Sequence, residues 1–145
     1  MQIKTLYIYW VDFKANNYLV GEIRQCLSPE DWYYEIEYYD DCIDYITSKV
    51  DYFFGVSGCP HWQRHFARYR KRLPWFILER TPNSKRPDLP RLLQEAGMKY
   101  YDRWAYMIWN RGVYLNDRFY VSTRKDDLDF WSDWLHRCSL ETGVE

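Results

Sequence analysis

Between Trp32 and Asp51 the hydrophobic period of the chain changes, and no other feature restricts its fold as much. Trp32, Tyr34, Ile36 and Tyr38 face one way, with Glu35 and Glu37 on the other side. A period of two belongs to a strand with one apolar face. Ile43, Ile46 and Val50 follow at helical spacing, with Asp40 or Asp41 positioned to cap. The fold must therefore contain both a sheet and helices packed on it.

The remaining segments sort around this switch. Leu6–Val11 is a short apolar, aromatic run that predicts a buried strand, Asn16-Asn17 makes a turn, and Tyr18–Ile23 returns as a second strand. Ser28–Asp31 and Gly55–Pro60 are loops. Trp62, Phe66, Tyr69 and Leu73 fall at i, i+4, i+7 and i+11, with Arg64, Arg68, Lys71 and Arg72 largely off that stripe. This spacing predicts an amphipathic basic helix over 62–72, closed by Pro74. After a loop over 81–87, Asp88 is placed to cap a helix to Glu95, stopped by Gly97. Asp102 is placed to cap another through Trp104, Ile108 and Trp109, ended by Gly112. Arg118–Ser122 predicts a last strand, and Asp126 or Asp127 a final helix through Leu128, Trp131, Leu135 and Cys138.

Strands first, then several short helices, then one strand argue for an α+β class and against a parallel βαβ sheet. The expected architecture is a small antiparallel sheet from residues 5–11, 18–24, 32–38 and 118–122 with helices on one side. At 145 residues the chain suits one domain. Its four cysteines, Cys26, Cys42, Cys59 and Cys138, form no CxxC pair and predict buried, reduced thiols. The N-terminus shows no signal-peptide pattern, and no run approaches 18 apolar residues. A cytoplasmic protein with no membrane segment is expected.

Charge is distributed unevenly. Residues 28–51 hold eight acids against Lys49, whereas residues 61–91 hold nine bases against Glu79 and Asp88. Either the two blocks lie together and cancel, or the basic one docks nucleic acid or an acidic protein. The second possibility draws attention to Arg64, Arg68 and Arg72 on the basic helix. It draws attention equally to Arg80, Lys85 and Arg86, because a loop rich in Pro, Asn and Ser should hold them out of the core. Substitutions at such a loop should cost under about 0.5 kcal/mol of stability. Aromatics make up 21% of the chain, and rings of this size often keep one edge at a contact surface. Trp75, beside the basic stretch, is a candidate contact, although Trp75-Phe76-Ile77 also suits a core.

Catalytic patterns are sparse. There is no GxGxxG or Walker loop and no GxSxG elbow. Asp40-Asp41 and Asp126-Asp127 are adjacent pairs whose side chains diverge on a helix. Cys59, His61 and His65 lie within seven residues, but zinc wants three or four ligands, and Cys42 and His136 are distant in sequence. The reading is a non-enzymatic protein with no cofactor and no metal.

The stretch Leu73-Pro74-Trp75-Phe76-Ile77-Leu78-Glu79-Arg80-Thr81-Pro82-Asn83-Ser84-Lys85-Arg86-Pro87-Asp88-Leu89 continues into Leu92-Leu93, Gly97-Met98, Tyr101-Asp102, Asn110-Arg111-Gly112, Asn116-Asp117 and Phe119-Tyr120-Val121. It resembles small bacterial proteins built like the N-terminal subdomain of HipA-type kinases, which are sometimes grouped with HIRAN-like modules. The resemblance covers residues 3–122 loosely and 73–121 best. It divides the chain into an α+β core over 1–125 and an added C-terminal helix over 126–145. It implies an antitoxin-like regulatory module that binds a kinase-like toxin. The HIRAN side would instead imply binding of single-stranded DNA ends. A phage-encoded or mobile-element inhibitor of a host defence protein is a third expectation, suited by small size and charge patterning.

Overall fold

The computed structural model describes residues 1–126. β1 (Gln2–Val11), β2 (Asn17–Leu27) and β3 (Trp32–Tyr38) pair antiparallel in succession. The first two outrun the apolar segments that predicted them, because ladder hydrogen bonds continue through polar residues as far as Gln2 opposite Leu27. The register shifts after Ile8, which pairs with Gly21 while Tyr9 pairs with Leu19, so Val20 is the extra residue of a bulge. Gly21 is needed beside it, since a Cβ there would lie 2.3 Å from the Glu37 carbonyl oxygen.

Helix α1 (Asp40–Lys49) follows, then a two-stranded ribbon of β4 (Gly55–Val56) and β5 (Cys59–Pro60). Next come β6 (Phe66–Arg70), α2 (Trp75–Arg80), α3 (Leu89–Glu95), α4 (Arg103–Trp109) and β7 (Phe119–Ser122). The main sheet has five strands in the order β6-β3-β2-β1-β7. One of its faces, with Leu6, Ile8, Ile23 and Ile36 at its centre, packs on Ile43 and Ile46 of α1, Phe76 and Ile77 of α2, and Trp104 and Met107 of α4. The class is α+β, with helices packed on one face of an antiparallel sheet. Among the described residues no helix is long and apolar enough to cross a membrane.

Asp102 caps α4, its carboxylate accepting the N–H of Trp104 (2.9 Å) and of Ala105 (3.2 Å). Asp40 and Asp41 sit in the first turn of α1, with Tyr39 at the cap position. Asp88 stands at the N-cap of α3, but its oxygens bind Arg86 and Arg91 instead of the backbone. The basic helix expected over 62–72 does not form. Residues 61–63 turn and Phe66–Arg70 is a strand, while a short helix that the spacing did not predict follows Pro74. The final helix and the added segment expected over 126–145 lie on residues 127–145, outside the described residues.

Candidate functional site

β6 forms where it does because β3 would otherwise leave its outer backbone groups without partners. Tyr38 N–H donates to the His65 carbonyl (2.8 Å) at one end and Lys71 N–H to the Trp32 carbonyl (3.1 Å) at the other. Ala67 and Tyr69 face the core, and Phe66, Arg68 and Arg70 face the opposite side of the sheet. There Glu35 of β3, only 8% exposed, accepts from Arg68 Nε (2.9 Å) and Nη2 (2.7 Å) and from Arg24 Nε (3.1 Å). Arg24 also reaches Glu22 and Glu37. Burial opposes its charge, but these carboxylates outweigh burial and hold its guanidinium well above the usual value. Arg68 lies over the Tyr33 ring at 4.7 Å.

Two further contacts join the basic and acidic segments. Arg70 Nη2 is 3.0 Å from Asp31, and His65 Nδ1 is 2.5 Å from Asp40. Part of the basic segment is thus neutralised by its neighbour. Among the described residues, Arg64, Lys71, Arg72 and Lys85 make no ion pair. The first three bracket β6, and Arg72 stacks over Tyr69 at 5.1 Å.

Exposed rings lie beside these bases. Phe54 and Trp62 are each 61% exposed and meet edge to face at 6.1 Å. Together with Phe53 and His61 they line a cleft of about 420 Å³. Phe66 and Trp75 are exposed as well. The β4–β5 ribbon ties this region to β6. The Tyr69 hydroxyl donates to the Gly58 carbonyl (3.4 Å), and a Cβ at Gly58 would come within 3.6 Å of the Trp75 Cβ. Tyr38 anchors the ribbon from below, its hydroxyl accepting from Val56 N–H (2.7 Å) and donating to the Cys59 carbonyl. Burial raises the pKa of that phenol and of the Cys59 thiol. His61 Nε2 lies 3.0 Å from the Phe53 carbonyl oxygen and His65 Nδ1 faces Asp40, so the two histidines are turned to separate partners. Among the described residues no three His, Cys, Asp or Glu side chains converge as a metal site would need.

The candidate residues separate into distinct places. Arg64, Arg68 and Arg72 cluster at β6, on turns and a strand rather than on a helix face. Trp75 opens α2 with its ring exposed, while Phe76 and Ile77 behind it are buried. Lys85 and Arg86 are exposed in the 81–88 segment, where Arg86 holds Asp88 at 2.5 Å.

Arg80 departs from expectation most. It ends α2 with its side chain fully buried, bound to Glu79 and Asp117 and lying 3.8 Å over the Phe76 ring. The acid that holds it inside comes from 37 residues away, where no loop composition could reveal it. The reading from composition overlooked Phe54, Trp62, Phe66 and Lys71. The signal available was the alternation Phe66-Ala67-Arg68-Tyr69-Arg70, which fits a strand at least as well as a helix.

Set beside known proteins, the chain matches no family model, no curated protein and no solved structure, so its own surface must carry any reading of its function.

Proposed function

We propose that this chain is a non-catalytic binding module that modulates a protein partner in the cytoplasm. It would engage the partner through the surface around β6. One observation carries this reading: Arg64, Lys71 and Arg72, which no described acid neutralises, flank β6, and the rings of Trp62, Phe66 and Trp75 near them in the sequence, with Phe54 against Trp62, are exposed. Exposed aromatics in one region, ringed by charge, are a common composition of recognition surfaces. The resemblance of residues 73–121 to HipA-type subdomains makes a kinase-like toxin the first partner to test and a host defence protein the second.

The test is affinity purification from the native host, with mass spectrometry, of the wild type and of Trp62→Ala/Trp75→Ala and Arg64→Ala/Lys71→Ala/Arg72→Ala variants. Both variants should keep the wild-type melting temperature and lose the partner. Recovery of the same partner at undiminished yield by both would refute the reading. A second reading, single-stranded DNA binding, is favoured by the interleaving of these bases with rings on which nucleobases could stack. It predicts affinity for an oligonucleotide that falls steeply with salt and is lost in the same variants.

A further inference from the structure

The two edges of the sheet are finished differently. On β7, Val121 N–H donates to the Arg111 carbonyl (2.8 Å) and Arg111 Nε donates back to the Val121 carbonyl (3.2 Å). That edge is closed by the chain itself. On β6, the bonds through His65 and Lys71 fix which residues turn inward: 65, 67, 69 and 71 point their backbone groups at β3. The N–H and C=O groups of Phe66, Arg68 and Arg70 therefore point outward, and no described residue bonds to them. They form a row of unpaired donors and acceptors about 17 Å long.

We infer that β6 is an acceptor edge on which an extended acidic segment of a partner protein docks as a sixth strand. This deepens the binding-module reading and rests on it. An edge left open invites pairing with any chain, and its side chains decide which. A second copy is disfavoured. Antiparallel pairing of β6 on β6 centred at Arg68 would place Arg68 opposite Arg68, and like charges directly opposite are destabilising. An acidic strand meets the reverse situation. Arg68 and Arg70 keep side-chain exposures of 48% and 67% despite their carboxylate partners. Arg64 at one end, and Lys71 and Arg72 at the other, extend the positive charge past the strand. Phe66 on the same face offers an apolar contact. An antiparallel occupant would thus carry acids opposite Arg70 and Arg68 and an apolar residue opposite Phe66, on alternate positions.

The probe is the acetylated, amidated peptide Thr-Glu-Thr-Glu-Thr-Val-Thr, compared with the same peptide methylated on the backbone nitrogens of both Glu residues. The two have equal charge and equal side chains, but the second has lost two of the three N–H groups that would donate to β6. Calorimetry should show binding of the first. Removing two backbone hydrogen bonds should weaken the second by about thirtyfold. Amide exchange at Phe66, Arg68 and Arg70 should slow in the complex. On the protein side, Arg68→Pro removes an outward N–H and the Glu35 ion pair but leaves every backbone bond to β3 in place, as edge strands tolerate. Arg68→Ala loses the Glu35 ion pair but keeps that N–H. Proline should abolish peptide binding and alanine only reduce it.

Equal affinity for the two peptides, or exchange protection elsewhere, would overturn strand addition even if Arg68→Pro failed to fold. Loss of the host partner in the Arg64/Lys71/Arg72 variant but not in Arg68→Pro would do the same while leaving the binding-module reading intact. Edge binding of the peptide with no host partner recovered would support the edge and defeat that reading.

Discussion

Replacing Arg80 with alanine should be among the most destabilising single changes in this protein. Its guanidinium has no exposed surface, while Glu79 and Asp117 retain side-chain exposures of only 7% and 22%. Truncation would leave two carboxylates largely out of water without their counter-charge. Breaking a buried ion pair from one side typically costs about 3–5 kcal/mol. The stacking on Phe76 at 3.8 Å is lost as well, but it is already contained in that range because cation–π attraction and ion pairing share the same charge. Asp117 also accepts the N–H of Phe119 (3.1 Å), so disturbance at Arg80 reaches the start of β7. Against a typical domain stability of about 5–15 kcal/mol, the variant would be near the limit of folding. Urea titration followed by tryptophan fluorescence and far-UV circular dichroism would measure the loss. The triple variant Arg80→Met/Glu79→Gln/Asp117→Asn removes the charges together and should be less destabilised than Arg80→Ala, because no ion is left behind. A cost below about 1 kcal/mol for Arg80→Ala, or a triple variant clearly worse than the single, would refute the burial argument.

Three other outcomes are expected. Tyr38→Phe deprives the Val56 N–H and the Cys59 carbonyl of their shared buried hydroxyl and should cost about 1–3 kcal/mol by urea titration, with no loss if the hydroxyl is dispensable. Gly21→Ala puts a methyl 2.3 Å from a backbone oxygen in the middle of the sheet, so its cost should reach or exceed the roughly 1–3 kcal/mol of ordinary overpacking. Burial works against ionisation of Asp12, but hydrogen bonds from Asn16, Lys14 and Tyr18 prevail and hold its carboxyl below the ordinary range. Its stabilisation is then present above the unfolded pKa of about 3.9 and disappears as pH falls through the lower folded value, so the gap in urea midpoint between wild type and Asp12→Asn should shrink there, and a constant gap from pH 7 to pH 2 would count against this.

The sequence by itself determined the parts whose neighbours are local. Alternation over Trp32–Tyr38 sets one apolar face, and Asp102 lies two and three residues from the N–H groups it caps, so both follow from spacing alone. The α+β class follows from the order of such segments.

Residues 66–70 show what spacing leaves open. The positions Trp62, Phe66, Tyr69 and Leu73 match a helical stripe, yet Phe66 and Tyr69 end on opposite sides of a strand. The outcome was decided by β3, whose outer hydrogen-bonding groups and Glu35 carboxylate await a partner about 33 residues along the chain. Arg80 followed the same rule. Its neighbours in sequence suggest a solvated loop, and Asp117 draws it inside. Which strand ends as the open edge is equally invisible locally, because β7 is covered by Arg111, which folds back over it, and by Asp117, while no described residue bonds the outer groups of β6. Backbone pairing and charge compensation act across any sequence separation, and only the tertiary structure states which groups meet.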